Sequence, residues 1–487
     1  MSNSPTAVTR RQFVRRAASA AAASSAFSLF TIAGTKASGR VLGANDTIRL
    51  GVAGINGRGG SHIGGFGKMD GVQITYLIDP DTRLFKSRGE NVKKLSGSLP
   101  KTVADIREAL ADKNLDAVSV ATCNHWHSLI TIWACEAGKD VYVEKPLSHN
   151  VHEGRIALGM ARKHDRIVQH GTQSRSSQGT AQEVAAARSG RFGKLVLSKG
   201  YCHKARWSIG TKPIAPPPAG LDFNLWLGPA PEQPYHDNLV HYNWHWFWDF
   251  GNGDIGNQGV HQMDIARWAI AGPALPKSVV SFGGRFGYED QGQTPNTLMT
   301  VFDYGDVKLA FETCGLVQGK SKAKSRVDNE FFTTDGRIAG GKFHPNGGGD
   351  PVSLKDVPTE IRREEHFANF ITAVRSRKIE DLNADVEVAH YSSALCHLGN
   401  IAYRVGKECP YEQAKEELKP NTAAMDLFES MTHNLAKGND IAVDKLAVRV
   451  SPTLAFDAAQ ERFVDNNAAN ELLTRKYREP FVVPSNA

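Results

Sequence analysis

Residues 48–59 read Ile-Arg-Leu-Gly-Val-Ala-Gly-Ile-Asn-Gly-Arg-Gly. An apolar β-run ends in a glycine cluster, and a helix-compatible segment follows. No other part of the chain restricts the fold as much. A strand running into a glycine turn and a helix presents backbone N–H groups and a helix N-terminus to a pyrophosphate. The spacing is Gly54-x-Asn56-x-x-Gly59, so Asn56 stands where the dinucleotide fingerprint has its middle glycine, with Gly57 beside it. Gly54, Asn56, Gly57, Arg58 and Gly59 are therefore candidate cofactor-binding residues.

The segments that follow keep this rhythm. Residues 72–78 are β-rich and end at Asp79, where a ribose-binding carboxylate is expected. Such a carboxylate accepts hydrogen bonds from ribose hydroxyls and repels a 2′-phosphate, which favours NAD. Asn56 and Arg58 still leave room for the phosphate of NADP. Residues 116–121 form a buried strand leading into Thr122-Cys123-Asn124-His125-Trp126-His127 and a helix to about residue 137. Residues 140–143 then run into Glu144-Lys145-Pro146. Strand and helix alternate from 46 to 170, which predicts a doubly wound parallel sheet. Ligands of such sheets bind at the carboxyl ends of the strands. Thr122, Asn124, His127, Glu144 and Lys145 all fall there.

The Gly loop, Asp79, the Thr-x-Asn-His-x-His segment and Glu-Lys-Pro, in this order, resemble the glucose–fructose oxidoreductase / inositol dehydrogenase / MocA (Gfo/Idh/MocA) family. The resemblance covers residues 46–410. It implies an α/β fold: an N-terminal Rossmann dinucleotide-binding domain (46–170), then an α+β substrate domain with a large open, mainly antiparallel sheet (171–410). An extension (411–487) completes the chain. The stretch Gly171-Thr172-Gln173-Ser174-Arg175 resembles the family's crossing between domains, and Gln173 joins the cofactor set. β-like runs at 195–201, 277–286, 298–304 and 307–313 follow without intervening helices, which suits the antiparallel expectation.

Residues 251–264, from Gly251 to Asp264, resemble the family pattern G-x-x-x-D-x-G-x-H-x-x-D. Asn257 stands where Asp is usual. On a helix Asn257, His261 and Asp264 would share one face. The resemblance implies that Lys145 binds and polarises the reacting oxygen. His261 then exchanges the hydroxyl proton, with Asn257 orienting its ring without adding charge. The aromatic and polar run at 241–250 suits sugar recognition, with rings stacking on C–H faces. His203, Arg206, Trp246 and Asp264 join Lys145 and His261 as candidate substrate contacts.

Composition decides the location. The net charge of +7 could suggest an acidic partner, but Arg10, Arg11, Arg15, Arg16 and Lys36 precede the first acidic residue, Asp46. The body is close to neutral, so no nucleic-acid partner is expected. Thr9-Arg10-Arg11-Gln12-Phe13 and the Ala/Ser stretch after it resemble a twin-arginine (Tat) export signal over 1–38, read by the Tat machinery. That implies a periplasmic or otherwise exported protein without a permanent membrane span.

The six cysteines form no CxxC pair and read as small buried residues. The pairs His241/His245 and His125/His127 have zinc-compatible spacing but lack a completing acid or cysteine, so no metal is expected. Phe367, Phe370, Ile371 and Val374, and then Val388, Tyr391, Leu395 and Leu398, lie on apolar helical stripes. The family resemblance also implies a homo-oligomer, a dimer or tetramer.

Outside the cytoplasm no pool of free cofactor can be assumed, so tightly bound NAD is expected. The function expected first is hydride transfer between that nicotinamide and a sugar or polyol. A second is an NAD-dependent glycosidase working by oxidation, elimination, hydration and reduction. A third is a non-catalytic sugar-binding protein on the same fold.

Overall fold

The computed structural model describes residues 47–487 and, before them, one pair of two-residue strands, Gly34–Thr35 with Arg40–Val41. The twin-arginine segment lies outside the described residues. No described helix is long and apolar enough to cross a membrane.

Strands β1 (Ile48–Ala53), β2 (Val72–Ile78), β3 (Lys101–Val103), β4 (Ala117–Val120), β5 (Asp140–Val143) and β6 (Val168–His170) form one parallel sheet, ordered β3-β2-β1-β4-β5-β6. Every residue of β4 and β5 is buried, as expected where helices cover both faces. Helices α1 (Arg58–Phe66), α2 (Phe85–Ser96), α3 (Ile106–Leu110), α4 (Asn124–Glu136) and α5 (Val151–Lys163) make the crossovers. Strand order reverses between β1 and β4, which opens a crevice at their carboxyl ends. The glycine loop and residues 122–127 meet there.

After α6 (Gln178–Arg188) comes β7 (Leu195–His203), and then α7 (Phe223–Leu227), α8 (Gly253–Gly256) and α9 (Gly259–Trp268). The rest of the second sheet is β8 (Ser278–Gly284), β9 (Thr297–Asp303), β10 (Lys308–Cys314), β11 (Arg326–Thr333), β12 (Gly336–Ala339), β13 (Lys342–Pro345) and β14 (Val352–Ser353). Its order runs β14-β13-β12-β11-β7-β10-β9-β8. Only the β7–β10 pair is parallel, so the sheet is mainly antiparallel as expected.

Two helices tie the domains together. On α10 (His366–Ser376), Phe367, Phe370 and Val374 pack against Ile48, Leu50 and Phe66 of the Rossmann core. The other, α11 (Val386–Val405), was expected to be amphipathic. Its polar Ser392, Ser393, His397 and Asn400 are buried as well as its apolar stripe. It lies between the domains and has no solvent face along most of its length.

The extension is part of this fold. Strand β15 (Lys407–Pro410) pairs with β16 (Ala447–Val450), which pairs in turn with β8. The boundary at 410 therefore cuts a β-ladder. Between them α12 (Tyr411–Leu418) and α13 (Thr422–His433) lay Leu418, Leu427, Phe428 and Met431 on Phe282, Met299 and Ala310 of the sheet. Strands β17 (Leu454–Asp457) and β18 (Arg462–Phe463) and helix α14 (Asn467–Glu471) follow. Phe481 and Val483 then join the Rossmann core. Phe428 is 1% exposed, so Phe428→Ala should cost about 3–5 kcal/mol. Chemical unfolding should show this as a lowered midpoint.

Candidate active site

A cleft of about 590 Å³ lies at the carboxyl ends of β1, β2, β4 and β5, closed on its far side by residues 204–261 of the second domain. The glycine loop forms one wall. A Cβ on Gly54 would lie 2.6 Å from the Ala121 carbonyl, and one on Gly59 would lie 1.8 Å from the Gly54 oxygen. Glycine is therefore required at both positions for strand, turn and helix to meet. No side chain caps α1, and its first turn holds no acid. An anion can take that place. At the end of β2, Asp79 accepts from the Ile55 and Asp81 N–H groups at 2.9 Å each. Burial pushes its pKa up, opposed by these two N–H groups. It fixes the loop and still lines the cleft.

Glu144 is the centre of the nucleotide side. One oxygen accepts from Arg58 Nε (2.7 Å), His62 Nε2 (3.1 Å) and Gln173 Nε2 (3.3 Å); the other accepts from the Lys145 N–H (3.2 Å). Burial alone would push its pKa up. The His62 hydrogen bond, with the charges of Arg58 and Lys145, holds it well below the usual carboxylate range. Arg58 uses its Nε for this contact, and its half-exposed guanidinium keeps its terminal N–H groups toward the cleft. His62 was missed in the sequence. It sits one helical turn past Arg58 and gave no signal without knowledge of what β5 places opposite.

His127 and Asn124 line the cleft, but their polar atoms serve the framework. The ring nitrogens of His127 face the carbonyls of Pro146 (2.6 Å) and Thr122 (3.0 Å). Asn124 donates to Asn252 of the second domain at 3.0 Å. Thr122 lines the cleft, and its hydroxyl turns back to the Cys123 carbonyl.

The reactive end is built around Lys145. Its Nζ donates to both the backbone oxygen (2.8 Å) and the Oδ1 (3.1 Å) of Asn257. An ammonium has three N–H donors, so one remains for a ligand. Burial lowers the Lys145 pKa, opposed chiefly by Glu144. His261 lines the same cleft, and no described protein group hydrogen-bonds its ring. Burial, helped by the Lys145 charge, brings its pKa down to about 4. It is a neutral imidazole at neutral pH, able to accept a proton.

Residues 205–250 cross from the second domain over the nucleotide end. Thr82 donates through its N–H and its hydroxyl to the Gly220 oxygen, both at 2.9 Å. The Asp222 N–H donates to Pro80 at 2.9 Å, and His241 Nε2 meets Asp81 at 2.8 Å. Leu225, Trp226, Tyr242 and Trp244 of this strap line the cleft.

Comparison with known proteins agrees with this geometry. Residues 48–172 match the family profile described as "Oxidoreductase family, NAD-binding Rossmann fold", and 193–279 match that of its C-terminal alpha/beta domain. Both profiles are those of the Gfo/Idh/MocA family. Among curated relatives, a glycosyl hydrolase family 109 protein of Shewanella pealeana is 26% identical over 182 residues, 36% of this chain and 40% of its own. An alpha-N-acetylgalactosaminidase of Shewanella oneidensis is 25% identical over 169 residues, 34% of this chain and 37% of its own. The matches thus span about 40% of those relatives. The WlbA dehydrogenase of Bordetella pertussis, solved with NADH and UDP-GlcNAcA, superposes with a TM-score of 0.52 at 16% identity, over 72% of this chain and 95% of its own. A levoglucosan dehydrogenase with NADH gives 0.52 at 15%, over 73% and 96%.

Against the Gfo/Idh/MocA pattern, the structure corrects several expectations. Asn257 and His261 do not share a helix face. Asn257 ends α8 with φ −85° and ψ −85°, and α9 starts two residues later. The amide anchors Lys145 instead of orienting His261.

Asp264 does not reach the cleft. It pairs with Arg175 through three contacts of 2.8–3.0 Å and accepts from Ser392 at 2.6 Å, with both charged side chains buried. Trp246 lies behind the cleft as a platform for Arg206, which sits 5.2 Å over its ring and bonds Asp254 at 2.8 Å. Of the candidate substrate residues, Lys145, Arg206 and His261 line the cleft.

The aromatic run is divided. Tyr242, Trp244 and His245 line the cleft, while Phe247 and Phe250 pack behind it with Leu221, Leu239 and Trp244.

His203 lies beside Glu312 at 2.9 Å, away from the cleft lining. Burial opposes its charge, but Cys314 and Glu312 together raise its pKa to about 10. His203, Glu312 and Cys314 form the one potential ligand cluster among the described residues. Glu312 is already taken by His203, Lys199 (2.7 Å) and Ser430 (2.8 Å), so the group reads as an ion-pair network. The zinc-spaced histidines go to separate partners: His125 to Trp226, His127 to two carbonyls, His241 to Asp81 and His245 to Tyr242.

Removing one member of a buried ion pair leaves an uncompensated charge. Asp264→Ala should therefore cost about 3–5 kcal/mol of stability while the folded fraction keeps its NAD affinity. Unfolding and nucleotide titration, run on the same preparation, separate the two effects.

Proposed function

We propose that this chain is an exported NAD-dependent enzyme that moves hydride between a tightly held nicotinamide and a carbinol carbon of a sugar or polyol. One observation carries the reading. Lys145, held by both acceptors of Asn257 with one N–H free, shares a cleft with the neutral, unpartnered imidazole of His261.

The nicotinamide, when bound, supplies the hydride acceptor. Gly54, Gly57 and the start of α1 would hold the pyrophosphate, and Asp79 would accept from the ribose hydroxyls. The free N–H of Lys145 binds the substrate oxygen and stabilises negative charge on it. His261 takes the hydroxyl proton as the C–H hydride leaves, and returns it in reverse. The pinned strap supports retention of the cofactor. Export rests on the twin-arginine sequence.

A second reading is favoured by the names of the curated relatives and by the strap. In it the hydride taken in the first step returns in the last, and a glycoside is cleaved by elimination and addition of water with no net redox change. Release of free sugar from a glycoside without accumulation of reduced nicotinamide supports this reading. Sugar-dependent accumulation supports net oxidation. Failure to bind NAD at all sinks both and leaves the non-catalytic reading.

Lys145→Ala should abolish reduction of bound nicotinamide in a single-turnover absorbance assay while the melting curve holds. Retained turnover refutes its role. Asn257→Asp sets a carboxylate against the Lys145 ammonium and should raise its pKa by about 1–3 pH units. The protonated form binds the substrate oxygen, so the alkaline fall in rate should move to higher pH. The acid fall, set by His261, should lie near its pKa of about 4 in the parent protein.

A further inference from the structure

Helix α7 is fastened to both banks of the nucleotide crevice. On the β2 side the Thr82 N–H donates to the Gly220 oxygen and the Asp222 N–H to the Pro80 oxygen, both at 2.9 Å. On the β4 side His125 Nε2 and Trp126 Nε1 both meet the Trp226 oxygen at 3.1 Å. Leu225 and Trp226, between these points, line the cleft. The helix therefore crosses the crevice in which a dinucleotide would lie. Its five residues are too few to hold a helix alone, because nucleation costs more than one turn returns. Carbonyls at a helix C-terminus also need partners from outside it.

Segment 475–484 supplies those partners. Arg478 Nε donates to the Gly228 (3.0 Å) and Ala230 (3.3 Å) oxygens. Its two terminal nitrogens donate to Asn224 Oδ1 and the Asn224 backbone oxygen, each at 2.6 Å. The planar fork of a guanidinium suits such a set of acceptors. Arg475 donates to the Asp249 oxygen at 2.9 Å, at the other end of the strap.

The same segment is rooted in the Rossmann domain. Phe481 is 3% exposed and meets the Trp126 ring edge-on at 5.3 Å. A Cβ on Gly228 would lie 2.3 Å from that ring. Trp126, a cleft-lining residue, thus touches both the strap and this segment. None of the residues that Arg478 bonds lines the cleft, so the arginine acts on the crossing helix and not on the pocket.

We propose that residues 475–484 latch the strap over the bound nucleotide, with Arg478 as the positioning residue that sets how fast the cofactor exchanges. This rests on the reading of the cleft as a nicotinamide site. It adds the part of the chain that governs retention there.

The test uses the full chain. Protein loaded with NADH is mixed with excess NAD, and the loss of nicotinamide fluorescence gives the release rate. Mixing nucleotide-free protein with NADH gives the entry rate. Arg478→Met should speed release about tenfold or more. Entry should quicken as well, because one closed strap bars both directions. Arg478→Lys, with a single ammonium for four acceptors, should fall between parent and Arg478→Met, and it carries the comparison where Arg478→Met does not fold.

Unchanged release in these variants overturns the proposal. So does faster release with entry unchanged, which is the mark of a damaged pocket. A parent protein that takes up no NADH overturns the cofactor reading and the latch together. A parent that holds NADH, with variants that exchange it at the same rate, overturns the latch alone.

Discussion

The buried carboxylate of Glu144 is the constraint on which the site depends. A charge of this kind is tolerated only when every lone pair facing the protein finds a donor. The donors come from separate pieces of chain: Arg58 and His62 from α1, Gln173 from the domain crossing, and the Lys145 N–H from the same turn. The glycine loop, the end of β5 and the entrance to the second domain are thereby fixed around one group. Gly171 shows how tightly, since a Cβ there would lie 2.9 Å from the Glu144 carboxylate. Lys145 inherits its position from this cluster, because its backbone is the last donor.

From that anchor the lysine reaches across the cleft to the second domain. Its contact with Asn257 joins the domains at the point where chemistry is expected. Asn124 with Asn252, and His241 with Asp81, make further crossings. The buried helices α10 and α11 hold the same two bodies from behind. These contacts fix the width of the cleft between the two domains, which favours a site preorganised for one geometry.

Much of this was legible in the sequence where the signal was local. The apolar run of 48–53, the turn at Gly54 and Gly59, and the alternation to residue 170 fixed the parallel sheet and its binding edge. Period and turn chemistry act over a few residues there. That Lys145, His261 and Asp79 line one cleft was legible because they sit at strand ends or in a recognisable motif. Asp264, Trp246 and His203 were misplaced for one shared reason. Each is a polar or aromatic residue near the motif in sequence, and its role is set by a partner far away: Arg175, Arg206 and Glu312. Helical spacing also misled at Asn257, because the chain leaves helical geometry at that residue, between α8 and α9. The strap gave no periodic signal at all, and its hold on residues 80–82 is made by backbone groups and the side chains of Thr82, Asp81 and His241.

The substitution of Asn for the family's Asp at 257 acquires a meaning from this arrangement. A carboxylate so close to Lys145 would offset its charge and hold its proton firmly. The amide keeps the same two acceptors and leaves the charge in place. Lys145 takes its opposing charge chiefly from Glu144, its neighbour in sequence. The amide therefore fixes where the ammonium points without tightening its hold on the proton, so the position and the acidity of the reactive lysine are set by different groups.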